Sequence, residues 1–175
     1  MVPLNLDEKP RYLPLIRNVL PLRFLDPREL ELFFAACELE IYEAGEKIIS
    51  QGEINQDFFA VLRGQVQVSV IEESGREVYI CTIGAFEVFG EAGMFLQVKR
   101  TANVSALDHA VVLRVPRNRM MAFIKKHPVS GNKFLLLVIH SLLRKLREAN
   151  QELAYERQMD ADQLDVDAIV REFGG

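Results

Sequence analysis

Tryptophan is absent from the 175 residues, and cysteine and histidine are scarce, with two and three copies respectively. Cys37 and Cys81 are too few for a disulfide framework and lie in no metal-ligand spacing, so we expect both to be buried free thiols. A cupin-type metal centre needs paired histidines on one strand with a carboxylate nearby. His109, His127 and His140 do not form that group, and we interpret them as surface or capping residues. We therefore predict no metal site and no cofactor.

Long apolar runs are also missing. A helix needs about 20 apolar residues to span a bilayer, and the longest run, Phe134–Ile139, stops at His140. The N-terminus carries polar residues and a proline over residues 7–10, where a secretory signal would need an apolar core. We therefore expect a cytoplasmic protein with no membrane partner.

Charge of one sign is in excess only near the C-terminus. The net charge is −4, and the segment from Tyr155 onward, with six acids and two bases, accounts for all of it. Residues 1–154 balance at 19 acids and 19 bases. A neutral body with an acidic tail predicts no nucleic-acid partner. We interpret the bases Arg144, Lys145 and Arg147 as a solvated helix face.

Turn and periodicity signals divide the chain into four segments. Residues 1–37 are predicted to be helical, with one helix over Arg11–Leu20 and another that Asp26 caps. Short apolar stretches separated by glycine turns fill residues 38–130, and strict alternation over residues 66–70 is typical of a half-buried strand. This texture predicts a mainly β fold, a barrel or jelly roll, with flanking helices. A long helix over residues 131–158 and an acidic tail over residues 159–175 follow.

The long helix carries an apolar seam. Its members recur at spacings of three and four residues: Leu135, Ile139, Leu142, Leu146, Ala149 and Leu153. This spacing favours a coiled-coil homodimer, and the alternative is packing against the chain's own barrel. The tail is predicted to be either a short docking helix or a frayed end.

The segment Phe89–Val104 has the properties of an anion site. Gly90 and Gly93 let the backbone approach a ligand closely. A short helix that begins near Glu91 would direct N–H groups and its positive dipole end at a phosphate. The guanidinium of Arg100 offers a fork of donors to phosphate oxygens, whereas the carboxylate of Glu91 suits a sugar hydroxyl. We therefore predict that this segment binds a sugar phosphate.

The same residues resemble the cyclic nucleotide-binding domain family, which includes the catabolite activator protein and the regulatory subunits of cyclic-nucleotide-dependent kinases. The resemblance rests on Phe89-Gly90-Glu91 and Arg100-Thr101-Ala102, and it extends over roughly residues 11–157 through the turn glycines Gly45, Gly52 and Gly64. It implies an eight-stranded antiparallel β-roll with N-terminal helices and a long C-terminal helix.

The resemblance also implies roles for the residues of the segment. Arg100 would pair with the cyclic phosphate, and Glu91 would accept a hydrogen bond from the ribose 2′-hydroxyl. Backbone groups of Gly90 and Ala92 would lie near the ribose and phosphate. The remaining predicted ligand-binding residues are Phe89, Thr101, Ala102 and, as the base-edge contact from the long helix, Asn150.

Three departures from the family pattern affect the segment. Phe86 replaces a usual glycine, Ala92-Gly93 replaces a bulky-then-small pair, and Val98-Lys99 replaces a frequent proline. Thr101 follows the arginine, a choice that the family often associates with cGMP, whereas serine or alanine goes with cAMP. We interpret Thr101 as a phosphate contact and expect cAMP as the ligand, with cGMP second.

The resemblance implies a regulatory sensor without enzymatic activity. A DNA-reading domain of this family takes about 60–70 further residues, and the sequence has far fewer after the long helix, so we expect the output to reach an unidentified partner protein. Two alternatives stay open: a degenerate, ligand-free roll that serves as a structural or dimerisation module, and a small cupin-like enzyme.

Overall fold

The computed structural model describes residues 2–3, 11–96 and 98–173, with side chains described over most of residues 11–155. Eight strands between Glu38 and Val115 and one two-residue strand near the N-terminus form two sheets. The strands are β1 (Val2–Pro3), β2 (Glu38–Tyr42), β3 (Lys47–Ile49), β4 (Phe58–Arg63), β5 (Val66–Ile71), β6 (Glu77–Ile83), β7 (Val88–Phe89), β8 (Asn103–Ala106) and β9 (Ala110–Val115). The helices are α1 (Leu13–Ile16), α2 (Pro27–Ala35), α3 (Glu91–Leu96), α4 (Arg117–Lys126) and α5 (Pro128–Phe173), with a 3₁₀ turn at Leu20–Leu22.

All strand pairs are antiparallel. One sheet has the order β1-β2-β9-β4-β7, and the other has the order β3-β8-β5-β6. The predicted eight-stranded antiparallel roll with helices before and after it is therefore confirmed. Strand β7 ends at the first residue of the segment predicted to bind an anion, and β8 begins at Asn103 near its end, so the roll itself positions both ends of that segment.

The first sheet is buried on both faces. Phe58, Ala60 and Leu62 of β4 pack into a cluster with the helices, while Phe59 and Val61 of the same strand pack into a second cluster. The second cluster lies between the sheets, because β3, β5, β6 and β8 also contribute to it. A strand buried on both faces reads as a continuous apolar run, which is why β4 shows no alternation.

Helix α2 begins where the sequence predicts. Asp26 accepts a hydrogen bond from the backbone N–H of Glu29 at 2.8 Å, and the Glu29 carboxylate accepts one from the Asp26 N–H at 2.8 Å. This reciprocal pair is a capping box. The helix predicted over Arg11–Leu20 is shorter: α1 spans only Leu13–Ile16, and Pro21 lies in the separate 3₁₀ turn at Leu20–Leu22.

Two local predictions need correction. Burial along β5 does not alternate strictly, because Val66 and Ser69 are its buried residues. Ser69 hydrogen-bonds to Glu77, and the partner strand has a bulge at Ile80, between Tyr79, which pairs with Ser69, and Cys81, which pairs with Val68. Cys81, expected to be buried, is exposed, whereas Cys37 is buried. Cys81 lies on β6, an edge strand with few buried residues.

Helix α5 is longer than predicted. It begins at Pro128 rather than Gly131 and runs to Phe173, so the predicted ranges 131–158 and 159–175 belong to one helix. Proline is favoured in the first turn, and no proline or glycine occurs over residues 132–173 to end the helix. The acidic side chains of the tail lie outside the described residues. In the part of the chain that the structure describes, no helix is both long and apolar enough to cross a bilayer.

The chain forms two compact units, residues 1–138 and 139–175. Within the first, Phe134 of α5 packs against Phe33 and Phe58, with ring centroids 5.7 Å and 5.6 Å away, and Leu135 packs on the same core. Within the second, the later members of the predicted seam are exposed: Ile139, Leu142, Leu146, Ala149 and Leu153. The first member of the seam, Leu135, therefore packs on the core of its own unit, whereas the later members form an exposed apolar surface.

The start of α5 is tied to α2 by a polar cluster. Ser130 donates a hydrogen bond to the Glu29 carboxylate, and Lys133 lies 3.3 Å from it. The bond from Ser130, the Asp26 backbone N–H and the Lys133 charge together lower the pKa of Glu29, against a smaller opposing effect of burial. A carboxylate with a lowered pKa stabilises the fold above its unfolded-state pKa and loses that contribution as the pH falls.

We expect Glu29→Gln to lower the free energy of unfolding at pH 7 by about 1 kcal/mol, because the cap and the Ser130 bond weaken. The difference from the unmodified protein should shrink as the pH falls through the acidic range where Glu29 becomes protonated. Urea unfolding at a series of pH values measures both effects. Glu31→Gln, an exposed change on the same helix, is the control, and a pH-independent difference for Glu29→Gln would contradict this assignment.

Candidate functional site

The segment Phe89–Val104 connects the end of β7 to the start of β8. Its backbone turns at Gly90, where φ is +80°, and α3 begins at the next residue, Glu91. A positive φ of this size is strained for residues other than glycine. The prediction of a short helix that begins near Glu91 is confirmed.

Arg100 lies inside this segment and is buried, with 6% of the residue exposed. Its Nη1 donates to the carbonyl oxygen of Gly90 at 2.8 Å. Its Nη2 donates to the carbonyl oxygen of Asp57 at 2.6 Å and to Oδ1 of Asn55 at 3.0 Å. All three acceptors are neutral groups, so these bonds satisfy donors without neutralising the charge.

The Nε–H of Arg100 has no acceptor. Among the side chains that the structure describes, Arg100 Nε and Asn103 Nδ2 are the buried polar atoms without a hydrogen-bond partner. Burial lowers the pKa of Arg100, opposed by the charges of Asp57, Glu53 and Glu91, but a guanidinium stays protonated in proteins. A buried cation with an unpaired donor is a strong candidate for anion binding, because leaving such a donor unpaired costs about 1–3 kcal/mol.

The two glycines of the segment make room for the guanidinium. A Cβ atom at Gly90 would lie 2.9 Å from the Asp57 carbonyl oxygen and 3.0 Å from Arg100 Nη1. A Cβ atom at Gly93 would lie 2.5 Å from the same Nη1 and 2.8 Å from the Asn55 carbonyl oxygen. We predicted that these glycines let the backbone approach a ligand, and in this structure the group they admit is Arg100.

The other predicted residues differ in accessibility. Glu91 is buried, with 6% exposed, and lies close enough for its charge to act on the pKa of Arg100 in the raising direction. Ala92 and Thr101 are exposed and Ala102 is half-buried. Phe89 is 3% exposed and stacks on Phe59, with ring centroids 5.1 Å apart, so it belongs to the core beneath the site. The structure thus brings together the acid and the arginine on which the prediction depends.

Asn150 belongs to the second compact unit. It lies on α5 and is exposed. Its role as a base-edge contact stays a prediction.

The loop that precedes β4 is a part of the site that sequence reasoning missed. Besides the Asn55 side chain and the Asp57 carbonyl, which both accept from the Arg100 side chain, the backbone N–H of Gly52 donates to the Arg100 carbonyl at 2.8 Å. The Arg100 N–H donates to the Glu53 carbonyl at 2.9 Å. These contacts join residues more than 40 positions apart, and no local pattern in the sequence indicates such a pairing.

Asp57 also connects the site to a charged network. Its carboxylate accepts from Arg114 at 2.6 Å, and Arg114 lies 3.2 Å from Glu40, which accepts from the Tyr42 hydroxyl at 2.6 Å. Burial lowers the pKa of Arg114, but the bond to Asp57 and the charges of Asp57 and Glu40 outweigh it, so the pKa is raised. Burial, with Glu40 adding to it, raises the pKa of Tyr42. The network holds Asp57 in place, and the main-chain carbonyl of Asp57 accepts the hydrogen bond from Arg100.

Phe86 adopts the backbone conformation that the usual glycine would have. Its φ is +71°, its N–H donates to the Val61 carbonyl at 2.7 Å, and its ring packs on the core. A bulky residue with a positive φ is strained by about 1–3 kcal/mol. The turn before the anion-binding segment is therefore retained, with the conformational strain of Phe86 opposed by burial of its ring.

Comparison with known proteins agrees with this geometry. The family model for the cyclic nucleotide-binding domain matches residues 39–127. The Cyclic AMP receptor protein of Thermus thermophilus is 29% identical over 129 residues, which cover 74% of this chain and 58% of that protein. The cGMP-dependent protein kinase, isozyme 1, of Drosophila melanogaster is 35% identical over 98 residues, which cover 55% of this chain and 13% of the kinase.

Solved structures show the same fold. A cyclic nucleotide-binding domain from Methylobacillus flagellatus superimposes with a TM-score of 0.77 at 16% identity and covers 85% of both chains. The Catabolite Activator Protein of Thermus thermophilus superimposes with a TM-score of 0.65 at 28% identity and covers 78% of this chain and 63% of that one. This chain belongs to the cyclic nucleotide-binding domain family. The matched region covers between 49% and 60% of the length of several bacterial relatives.

Gly90→Ala should destabilise the protein more than Gly45→Ala. Both glycines have a positive φ, +80° and +84°, but a Cβ at Gly45 meets no atom within 4 Å, whereas one at Gly90 meets Asp57, Arg100 and Phe59. We expect about 1 kcal/mol for Gly45→Ala from the backbone alone, and about 2–4 kcal/mol for Gly90→Ala. Urea unfolding compares the two, and equal losses would show that the contacts around Gly90 can relax.

Proposed function

We propose that this chain is a regulatory, non-enzymatic domain that binds a cyclic nucleotide, cAMP in preference to cGMP. The observation that carries the proposal is the buried guanidinium of Arg100, whose Nε–H lacks an acceptor in a segment that matches the family's phosphate-binding residues. Membership of the family, and relatives named for cAMP and for cGMP, support a cyclic nucleotide as the anion.

The proposed contacts follow from the chemistry of each group. Arg100 pairs with the cyclic phosphate, because its planar fork matches two phosphate oxygens. Glu91 accepts a hydrogen bond from the ribose 2′-hydroxyl, since a carboxylate only accepts and would repel the phosphate. Backbone groups of Gly90 and Ala92 approach the ribose and phosphate. Thr101 and Ala102 line the pocket.

The proposed mechanism is a population shift. A nucleotide changes the equilibrium between two states only by the difference in its affinity for them. The phosphate supplies a negative charge that the neutral acceptors around Arg100 lack, so the nucleotide favours a state in which Phe89–Val104 closes around it. We propose that α5 then covers the base, with Asn150 as the contact to its edge.

Calorimetric titration with cAMP and cGMP tests the proposal. We expect binding well below about 1 mM and a loss of at least about 100-fold for Arg100→Ala, because a charge-assisted, bidentate contact to a charged group is removed. Glu91→Gln should weaken binding less, because the amide oxygen still accepts. Arg63→Ala, an exposed arginine at the end of β4, is the matched control.

Two results would contradict the proposal. One is a protein that binds neither nucleotide below about 1 mM, and the other is unchanged binding in Arg100→Ala. Either result would favour a roll that serves as a structural or dimerisation module.

We further propose that the chain forms a homodimer through α5 and passes its signal to a partner protein. The exposed seam at Ile139, Leu142, Leu146 and Leu153 supports the dimer, because exposed apolar residues at this spacing pair in coiled coils. The excess of acids after Tyr155, against balanced charge elsewhere, supports a protein rather than a nucleic acid as the next component.

Leu146→Asp should convert the dimer to a monomer, because it places a charge in the middle of the apolar seam. Light scattering coupled to size-exclusion chromatography measures the mass directly. Gln151→Asp, which adds the same charge at an exposed position outside the seam, should leave the mass unchanged. A monomeric unmodified protein, or a dimer that survives Leu146→Asp, would contradict the proposed interface.

A further inference from the structure

The donors of Arg100 are unequally occupied. A guanidinium has five N–H groups in a fixed plane. Both hydrogens of Nη2 are used, one by the Asp57 carbonyl and one by Asn55 Oδ1, and Nη1 uses one on the Gly90 carbonyl. The hydrogen on Nε has no acceptor. The unpaired Nε–H therefore lies next to Nη2, which already donates to two acceptors.

A phosphate that binds two donors of an arginine needs two that are adjacent. Since Nε offers one hydrogen and both hydrogens of Nη2 are taken, an anion that uses Nε and Nη2 together must displace one acceptor from Nη2. The Asp57 carbonyl is the harder of the two to displace. It is a main-chain group at 2.6 Å, and the Asp57 side chain is fixed by Arg114.

Asn55 is the easier acceptor to displace. Its Oδ1 lies 3.0 Å from Nη2, its side chain is half-buried, and the same oxygen has a second donor in the backbone N–H of Asp57 at 2.8 Å. When it releases Arg100, Oδ1 still has a partner. The exchange therefore replaces one neutral acceptor by a phosphate oxygen and leaves Oδ1 of Asn55 bonded to the Asp57 N–H.

We propose that Asn55 regulates the affinity of the site: its Oδ1 holds Arg100 in the nucleotide-free state and is displaced by the phosphate. The inference rests on the proposed function and adds to it a residue outside the phosphate-binding segment. Asn55 is a positioning residue, because it acts through Arg100 and not on the nucleotide.

Two variants of Asn55 should change the affinity in opposite directions. Asn55→Ala removes the competitor and leaves a buried donor that a phosphate can satisfy, so binding of cAMP should tighten roughly tenfold. Asn55→Asp keeps an acceptor and gives it a negative charge beside the guanidinium, so binding should weaken by at least about tenfold. Gln56→Ala, a half-buried neighbour in the same loop, is the control and should leave the affinity unchanged.

A purely structural role for Asn55 gives a different result. If Asn55 mattered only through its bond to the Asp57 N–H, Asn55→Ala would weaken binding and Asn55→Asp, which still accepts that bond, would change it little. Weaker or unchanged binding in Asn55→Ala, while the unmodified protein binds cAMP, overturns this inference and leaves the proposed function intact. Failure of the unmodified protein to bind any cyclic nucleotide overturns the proposed function and this inference with it.

A readout without nucleotide tests the contact itself. Without ligand, Asn55→Asp should melt about 2–4 °C above Asn55→Ala, because the charged acceptor strengthens the bond to Arg100. The difference should shrink in an Arg100→Ala background, where only the bond to the Asp57 N–H still separates the two variants. Equal melting temperatures of the two variants in the unmodified background would overturn the claim that Asn55 acts through Arg100. An undiminished difference in the Arg100→Ala background would also overturn the claim.

Discussion

The buried guanidinium of Arg100 is the constraint on which the arrangement of the site depends. A cation inside a protein must be surrounded by acceptors, and here these come from the turn at Gly90 and from the loop that contains Asn55 and Asp57. One side chain therefore bonds to two segments that are far apart in the chain. Because every acceptor is neutral, the charge itself is available to an anion.

The roll makes this burial possible. Phe59 of β4 lies beneath Arg100, with the guanidinium carbon 5.8 Å from the ring centroid, and stacks on Phe89 of β7. The other face of the same sheet packs on the helices through Phe58 and Phe134. The site thus rests on a sheet that is packed on both faces.

Local rules are broken close to this site more than elsewhere in the described chain. Phe86 has a positive φ without being glycine, and Arg100 and Asn103 each carry a buried donor without a partner. Such features persist only where the surrounding structure enforces them, and they concentrate at functional sites. Their position at both ends of one segment agrees with a site in which a ligand completes the bonding.

The sequence by itself determined the class of fold, because glycine turns and strand texture are local properties, and the same kind of local pattern predicted Glu91 and Arg100 as the charged residues of the site. It also placed the α2 cap at Asp26. The tertiary structure alone decided how Arg100 is bound, since Asn55 reaches it across 45 positions. Hydrogen bonds between distant loops depend on how strands are ordered in the sheets, and no periodicity along the chain carries that information.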